Sequence, residues 1–165
     1  MSRECKGDIV IPKRYHGNGI TPIILRALSS CHTLTHEVII MDSERYLTGQ
    51  RMLQQVDGKG GDAVVDSLKD IAPDFAQYLI EFPFGDIYSR PGLDLRSREI
   101  ATVAALTAMG NATPQLKVHI AAALHVGLTQ EEIIEVMMQM AVYAGFPAAL
   151  NGLFAAKEVF ASHRG

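Results

Sequence analysis

At 165 residues the chain has the length of one domain with room for a buried core. Its apolar share of 48% and charged share of 20% suit an ordinary globular protein, and a net charge of −3 leaves no electrostatic footprint for nucleic acid or an anionic membrane. No apolar run reaches the roughly 18 residues of a membrane span, the start lacks the apolar core of a secretory signal, and two cysteines make no disulfide framework; a cytoplasmic protein is the expectation.

The chain divides near Met41. Residues 1–40 hold Cys5 and Cys31, His16, His32 and His36, and short strand-like runs such as "DIVI" and "EVII". They are read as an N-terminal extension without an assigned structure. Cys31, His32 and His36 can be sketched as metal ligands, but three mixed ligand types in an unplaced segment carry little weight, and no metal is expected.

From "MDSERYLTGQRMLQQV" onward the punctuation is helical, and residues 41–165 are predicted to form one all-α domain. "GKGGD" at 58–62 breaks the first helix. An apolar-periodic run follows over about 63–82, with Pro73 opening a new helix at "APDFAQYLIEF". "FGDIYSRPGLD" at 84–94 is read as a loop with its turn at Pro91-Gly92. Asp94 then caps a helix running to about Gly110. Thr113 as N-cap and Pro114 at the first helical position open the next, which ends at Gly127. Thr129 and Glu132 form a capping box for a helix stopping at Gly145, and Pro147 starts a last one ending near Ser162.

The helix "QEEIIEVMMQMAVYA" is apolar over more than half its circumference, through Ile133, Ile134, Val136, Met137, Met140, Ala141, Tyr143 and Ala144. Such a helix is buried on more than one side. In so small a domain the second side is expected to face another subunit; the alternative is a central core helix in a monomer.

"PQLKVHIAAALHVGLT" carries two histidines. Leu116, Ile120 and Ala123 share a core stripe by their spacing, and His119 lies beside them. His125 falls about 180° from Leu116 and is expected at the surface. An imidazole on a buried face needs a partner, whether its role is structural or catalytic. Glu99, one turn before Val103 on the preceding helix, meets His119 if the two helices pack by their apolar stripes. A carboxylate then fixes the tautomer of the imidazole. The alternative for Glu99 is an acidic residue favoured near a helix start.

The stretches "RYLTGQ", "FGDIYSRPGLDLRSREIATVAALTAMG" and "QLKVHIAAALHVGLTQEEIIEVMMQMAVYAGFPAALN" closely resemble the carboxymuconolactone decarboxylase family, over about 42–161. The resemblance implies an all-α bundle of the alkylhydroperoxidase D-like type that assembles as trimers or hexamers, with active sites near subunit contacts. The alkylhydroperoxidase D branch uses C-x-x-C-x-x-x-H together with a proton-relay glutamate. Carried over, its histidine is His119 and its glutamate Glu99, while the cysteine positions are Ala112 and Gln115, neither of which supplies a thiolate. A thiol peroxidase or disulfide reductase is therefore disfavoured. Decarboxylases of the family commonly carry an arginine and a second histidine where this chain has Lys117 and Gln139.

The resemblance implies as substrate a dicarboxylate butenolide, a carboxylated lactone such as 4-carboxymuconolactone. Loss of its ring carboxylate sends electrons through the conjugated alkene onto the lactone carbonyl, so the substrate is its own electron sink and no cofactor is expected. The protein must anchor carboxylate, donate hydrogen bonds to the oxyanion and supply a proton near neutral pH. His119 suits the proton transfer and Glu99 its orientation. Arg90 offers bidentate carboxylate recognition, Lys117 a second positive charge, and Tyr88 or Tyr143 a donor to the oxyanion. Each has a plainer alternative: Arg90 pairs with Asp86, Lys117 is solvated, Tyr143 packs an interface. A non-catalytic oligomeric binder of small molecules is the remaining reading.

Overall fold

The structure is a computed structural model and describes residues 43–163. The extension at 1–40, with its cysteines and three histidines, and the proposed boundary near Met41 lie outside the described residues. Within them every regular element is helical: α1 (Glu44–Val56), α2 (Lys59–Asp66), α3 (Pro73–Leu79), a π-helix (Ile80–Tyr88), α4 (Leu95–Met109), α5 (Thr113–His125), α6 (Gln130–Ala144) and α7 (Phe146–Ser162).

Local chemistry accounts for most of the boundaries. Ser43 Oγ accepts the Tyr46 N–H at 3.1 Å and opens α1. Asp94 accepts from Ser97 N at 2.7 Å and opens α4. The Thr129–Glu132 capping box is complete, at 3.1 Å and 2.8 Å. Gly110 and Gly145 end α4 and α6 at φ of 71° and 85°, where side-chain-bearing residues are strained.

Three expectations are corrected. The break over 58–62 is shorter, because α2 already begins at Lys59 once Gly58 has turned the chain at φ 54°. The loop expected over 84–94 is helical up to Tyr88, leaving only 89–94 as turn. Pro83 has no N–H for a regular i→i−4 bond, and the chain continues as a wider π-helix rather than stopping. Thr113 is not the N-cap of α5; Ala112 holds that place with no side-chain bond, and Pro114 falls one residue inside the helix.

Two apolar clusters meet at α5. Leu116, Ile120 and Ala123 join Val103 of α4, Ile133 and Met137 of α6, and Phe160 of α7. Ala122 instead joins Leu53 and Val56 of α1 and Ile80 and Phe84 of the π-helix. Each fully buried aliphatic side chain contributes about 1.5–3 kcal/mol. The second cluster depends on close backbone approach. A Cβ on Gly49 would strike the Ile80 carbonyl, and one on Gly85 would lie 2.6 Å from the Arg45 carbonyl, so α1 and the π-helix touch main chain to main chain. Glu81 secures the same contact, accepting from Ser43 Oγ at 2.6 Å and Gln77 Nε2 at 3.1 Å.

Helix α6 is not a central core helix of the single chain. Only Ile133 and Met137 are buried, whereas Met138, Val142 and Tyr143 lie open on its outer side. Among the described residues no helix is long and apolar enough to cross a membrane.

Candidate active site

Glu99 is fully buried, which a carboxylate accepts only with partners. It has two. Its Oε2 lies 3.0 Å from Nδ1 of His119, and its Oε1 accepts the Tyr88 phenol O–H at 2.9 Å. Helix α4 supplies the glutamate, α5 the histidine and the π-helix the tyrosine, so three elements converge on one carboxyl group. The phases that put Glu99 beside Val103 and His119 beside Leu116 thus bring the two together. With Glu99 as acceptor, the Nδ1 proton stays on the imidazole and Nε2 is left for other work.

His119 is about a quarter exposed, and its open side lines a cavity of about 580 Å³. Val56, Val64, Phe84 and Val118 give that cavity apolar walls, and Asp57, Tyr88, Thr102 and Gln115 add polar groups. The phenol of Tyr88 is pushed well above its ordinary range by burial and by the charge of Glu99, so it remains a donor. Thr102 Oγ1 sits 2.9 Å from the same phenol oxygen. Arg98 stacks over the Tyr88 ring, 5.6 Å from its centroid, and Phe84 packs at 5.3 Å between centroids.

The other candidates are placed differently. Arg90 is exposed and outside the cavity lining; its contribution is a backbone carbonyl, which accepts from Arg98 Nη2 at 2.9 Å. Asp86 is held by Arg45, not by Arg90, with Nε to Oδ1 at 2.9 Å. Lys117 pairs with Glu158 of α7 and does not line the cavity. Tyr143 is 78% exposed on α6, also away from the lining. Tyr88 lines the cavity, but its proton goes to Glu99, so the role of free oxyanion donor does not fit it. His125 is exposed, as its phase predicts, and its ring lies near the turn at Gly58.

Asp57, Thr102 and Arg98 are site residues that the sequence did not reveal. Asp57 ends α1 in the turn before α2, a position without helical phase. Thr102 had a usable signal, since it follows Glu99 by three residues on one helix face. Of the two positions where the sequence resemblance leads one to expect redox cysteines, Ala112 is the N-cap residue of α5 and Gln115 lines the cavity. Among the described residues no group of three His, Cys, Asp or Glu is arranged to hold a metal.

Glu99, His119 and Tyr88 thus set a carboxylate-held imidazole at the wall of a largely apolar cavity in an all-α domain. Residues 73–158 match the model of the Carboxymuconolactone decarboxylase family. The chain is 33% identical over 120 residues to a 4-carboxymuconolactone decarboxylase of Acinetobacter baylyi, covering 72% of this chain and 89% of that protein. It is 34% identical over 96 residues to an uncharacterised 15.0 kDa protein of Paracoccus denitrificans, covering 58% and 72%. A nitrosuccinic acid decarboxylase of Metarhizium robertsii is 28% identical over 97 residues, covering 57% and 67%. The chain belongs to the carboxymuconolactone decarboxylase family.

Proposed function

We propose that the protein is a cofactor-free decarboxylase of a small carboxylated lactone or a related acid, with His119 as proton donor and Glu99 as its positioning residue. The observation that carries this reading is the 3.0 Å contact between buried Glu99 and Nδ1 of His119, a residue that lines the cavity, which leaves Nε2 unspent on Glu99. Two relatives named as decarboxylases support the reaction type.

The chemistry follows from the side chains. Apolar walls strip water from a bound carboxylate and favour the state in which its charge is dispersed. The bond between the ring carbon and the carboxylate carbon breaks, carbon dioxide leaves, and the electron pair passes through the conjugated system to the carbonyl oxygen. Gln115 offers amide N–H groups to that oxygen. The Nε2 proton of His119 is then delivered to carbon, and the imidazole takes a replacement from solvent. Glu99 offsets the imidazolium charge before transfer and holds the ring plane throughout.

Screening the purified protein against carboxylated lactones, with carbon dioxide release as readout, tests the reading. His119→Ala is expected to lower kcat by about 10²-fold or more, and the exposed His125→Ala to leave it near wild type. Equal rates for the two variants would sink the assignment of His119.

The family resemblance also supports a homo-oligomer. Met138 and Val142 on α6, and Phe146, Leu150 and Phe154 on α7, repeat at four-residue intervals and are exposed, two apolar stripes suited to a subunit contact.

A further inference from the structure

The buried Glu99 carboxyl ends a chain of hydroxyl groups. Its Oε1 lies 2.9 Å from the Tyr88 phenol oxygen, which lies 2.9 Å from Thr102 Oγ1, which in turn lies 2.9 Å from the Arg98 carbonyl. Tyr88 and Thr102 carry one hydroxyl proton each, so the chain points one way at a time. Pointed away from Glu99, it leaves a fully buried carboxylate oxygen without its donor. It also spends the Thr102 proton on a carbonyl that already receives the Thr102 backbone N–H in the ladder of α4. Pointed toward Glu99, Thr102 donates to Tyr88 and Tyr88 donates to the carboxylate, and neither hydroxyl nor carboxylate is stranded. Burial and the charge of Glu99 keep the phenol proton in place. The Tyr88 ring is itself fixed by Arg98, 5.6 Å from its centroid, and by Phe84 at 5.3 Å.

Resting on the reading of His119 as proton donor, we propose that Tyr88 and Thr102 are positioning residues that act in series on Glu99, drawing off part of its negative charge so that His119 gives up its proton more readily. A carboxylate bonded to the imidazole alone would direct its whole charge there and hold the imidazolium tightly. The two hydroxyls share that charge. A hydroxyl that accepts a hydrogen bond becomes a stronger donor, so Thr102 reinforces the bond from Tyr88. Losing a donor destabilises the Glu99–His119 pair most when the pair is net negative, so the pair keeps its proton to higher pH whichever partner holds it. The charges around the pair are Asp57 in the turn after α1, Asp62 of α2, Arg98 of α4 and His125 of α5. On α6 and α7, Glu132 and Glu158 are engaged at the surface by Arg96 and Lys117. Removing a hydroxyl from Tyr88 or Thr102 alters none of these.

The His119 ring signals are followed by NMR across pH in the full chain, identified by their loss in His119→Gln. Tyr88→Phe keeps the ring against Arg98 and Phe84 and removes only the hydroxyl. It is expected to raise the pH midpoint of the His119 signals by about one unit or more, the scale of one hydrogen bond to a charged group. Thr102→Val keeps the β-branched shape and is expected to raise the midpoint by a smaller amount, and Thr102→Ser to return it to that of wild type. Where a carboxylated lactone is turned over, the pH profile of kcat is expected to move with the midpoint. Melting curves establish that each variant is folded, and Thr102→Val with Thr102→Ser carries the test if Tyr88→Phe is not. A midpoint unmoved or lowered in either folded variant, or Thr102→Ser behaving like Thr102→Val, overturns the proposal. Titration needs no turnover, so failure to release carbon dioxide from any lactone sinks the decarboxylase reading and leaves this measurement intact.

Discussion

Asp57 and Glu99 are two acids at one cavity with opposite settings. Glu99 is wholly buried yet satisfied by a phenol and an imidazole, whereas Asp57 is only half-buried and has no side-chain hydrogen bond among the described residues. Asp57 therefore opposes folding when ionised. With its folded pKa raised above the ordinary 3.8, its stabilising contribution is complete below that value and is lost as pH rises through the folded pKa. Glu81 runs the other way: the Ser43 hydroxyl, with Gln77 and Arg45, lowers its pKa, so that stability is lost on acidification. Comparing wild type with Asp57→Asn isolates the first effect. The variant is expected to melt higher at pH 7, with the gap closing toward pH 4; a gap that does not change with pH would show that the carboxyl charge is not the cause. His119 and Glu99 were legible in the sequence because both lie on long, regularly phased helices. Asp57 was not, because the direction of a side chain in a two-residue turn depends on where the next helix is laid.

The contact of α1 with the π-helix decides whether Tyr88 reaches Glu99. Its sequence signal was the "RYLTGQ" stretch, whose glycine marks the point of closest approach rather than a chain break. Gly49→Ala drives a methyl group into the Ile80 backbone carbonyl, which no rotamer change relieves. The expected cost is about 1–3 kcal/mol, read as a lower denaturation midpoint with unchanged helical circular dichroism. Because the displaced element carries Tyr88, decarboxylation is expected to fall as well, even at temperatures where the variant is folded. Full stability for Gly49→Ala would mean that the two backbones are not in contact. Reading 84–94 as a loop failed at this same element: Pro83, Gly85 and Pro91 are ordinary breakers, and the apolar surface offered by Leu53, Val56 and Ala122, with the polar ties of Glu81 and Asp86, holds 80–88 helical. That surface comes from distant parts of the chain and is invisible in a local window.

At the scale of the whole molecule, the apolar excess of α6 has to be reconciled with its burial. The sequence showed more apolar circumference than one core needs, and the folded chain buries Ile133 and Met137 while leaving Val142 77% and Tyr143 78% exposed. Phe146 and Phe154 on α7 are exposed by 75% and 60%, so the surplus continues across the Gly145 turn. Surfaces of that kind on one chain are matched by the same surfaces on another when copies associate about a symmetry axis. Light scattering coupled to gel filtration is therefore expected to give a mass that is a multiple of 18.0 kDa. A double variant, Val142→Glu with Leu150→Glu, puts like charges on both stripes without touching the buried residues. It is expected to shift the population toward monomer with the helical signal retained. A wild-type protein that is monomeric at tens of micromolar, or a double variant with unchanged mass, would show that these stripes are not the subunit contact. If the variant is monomeric and keeps its helical signal but loses activity, then assembly acts on the site rather than on the fold.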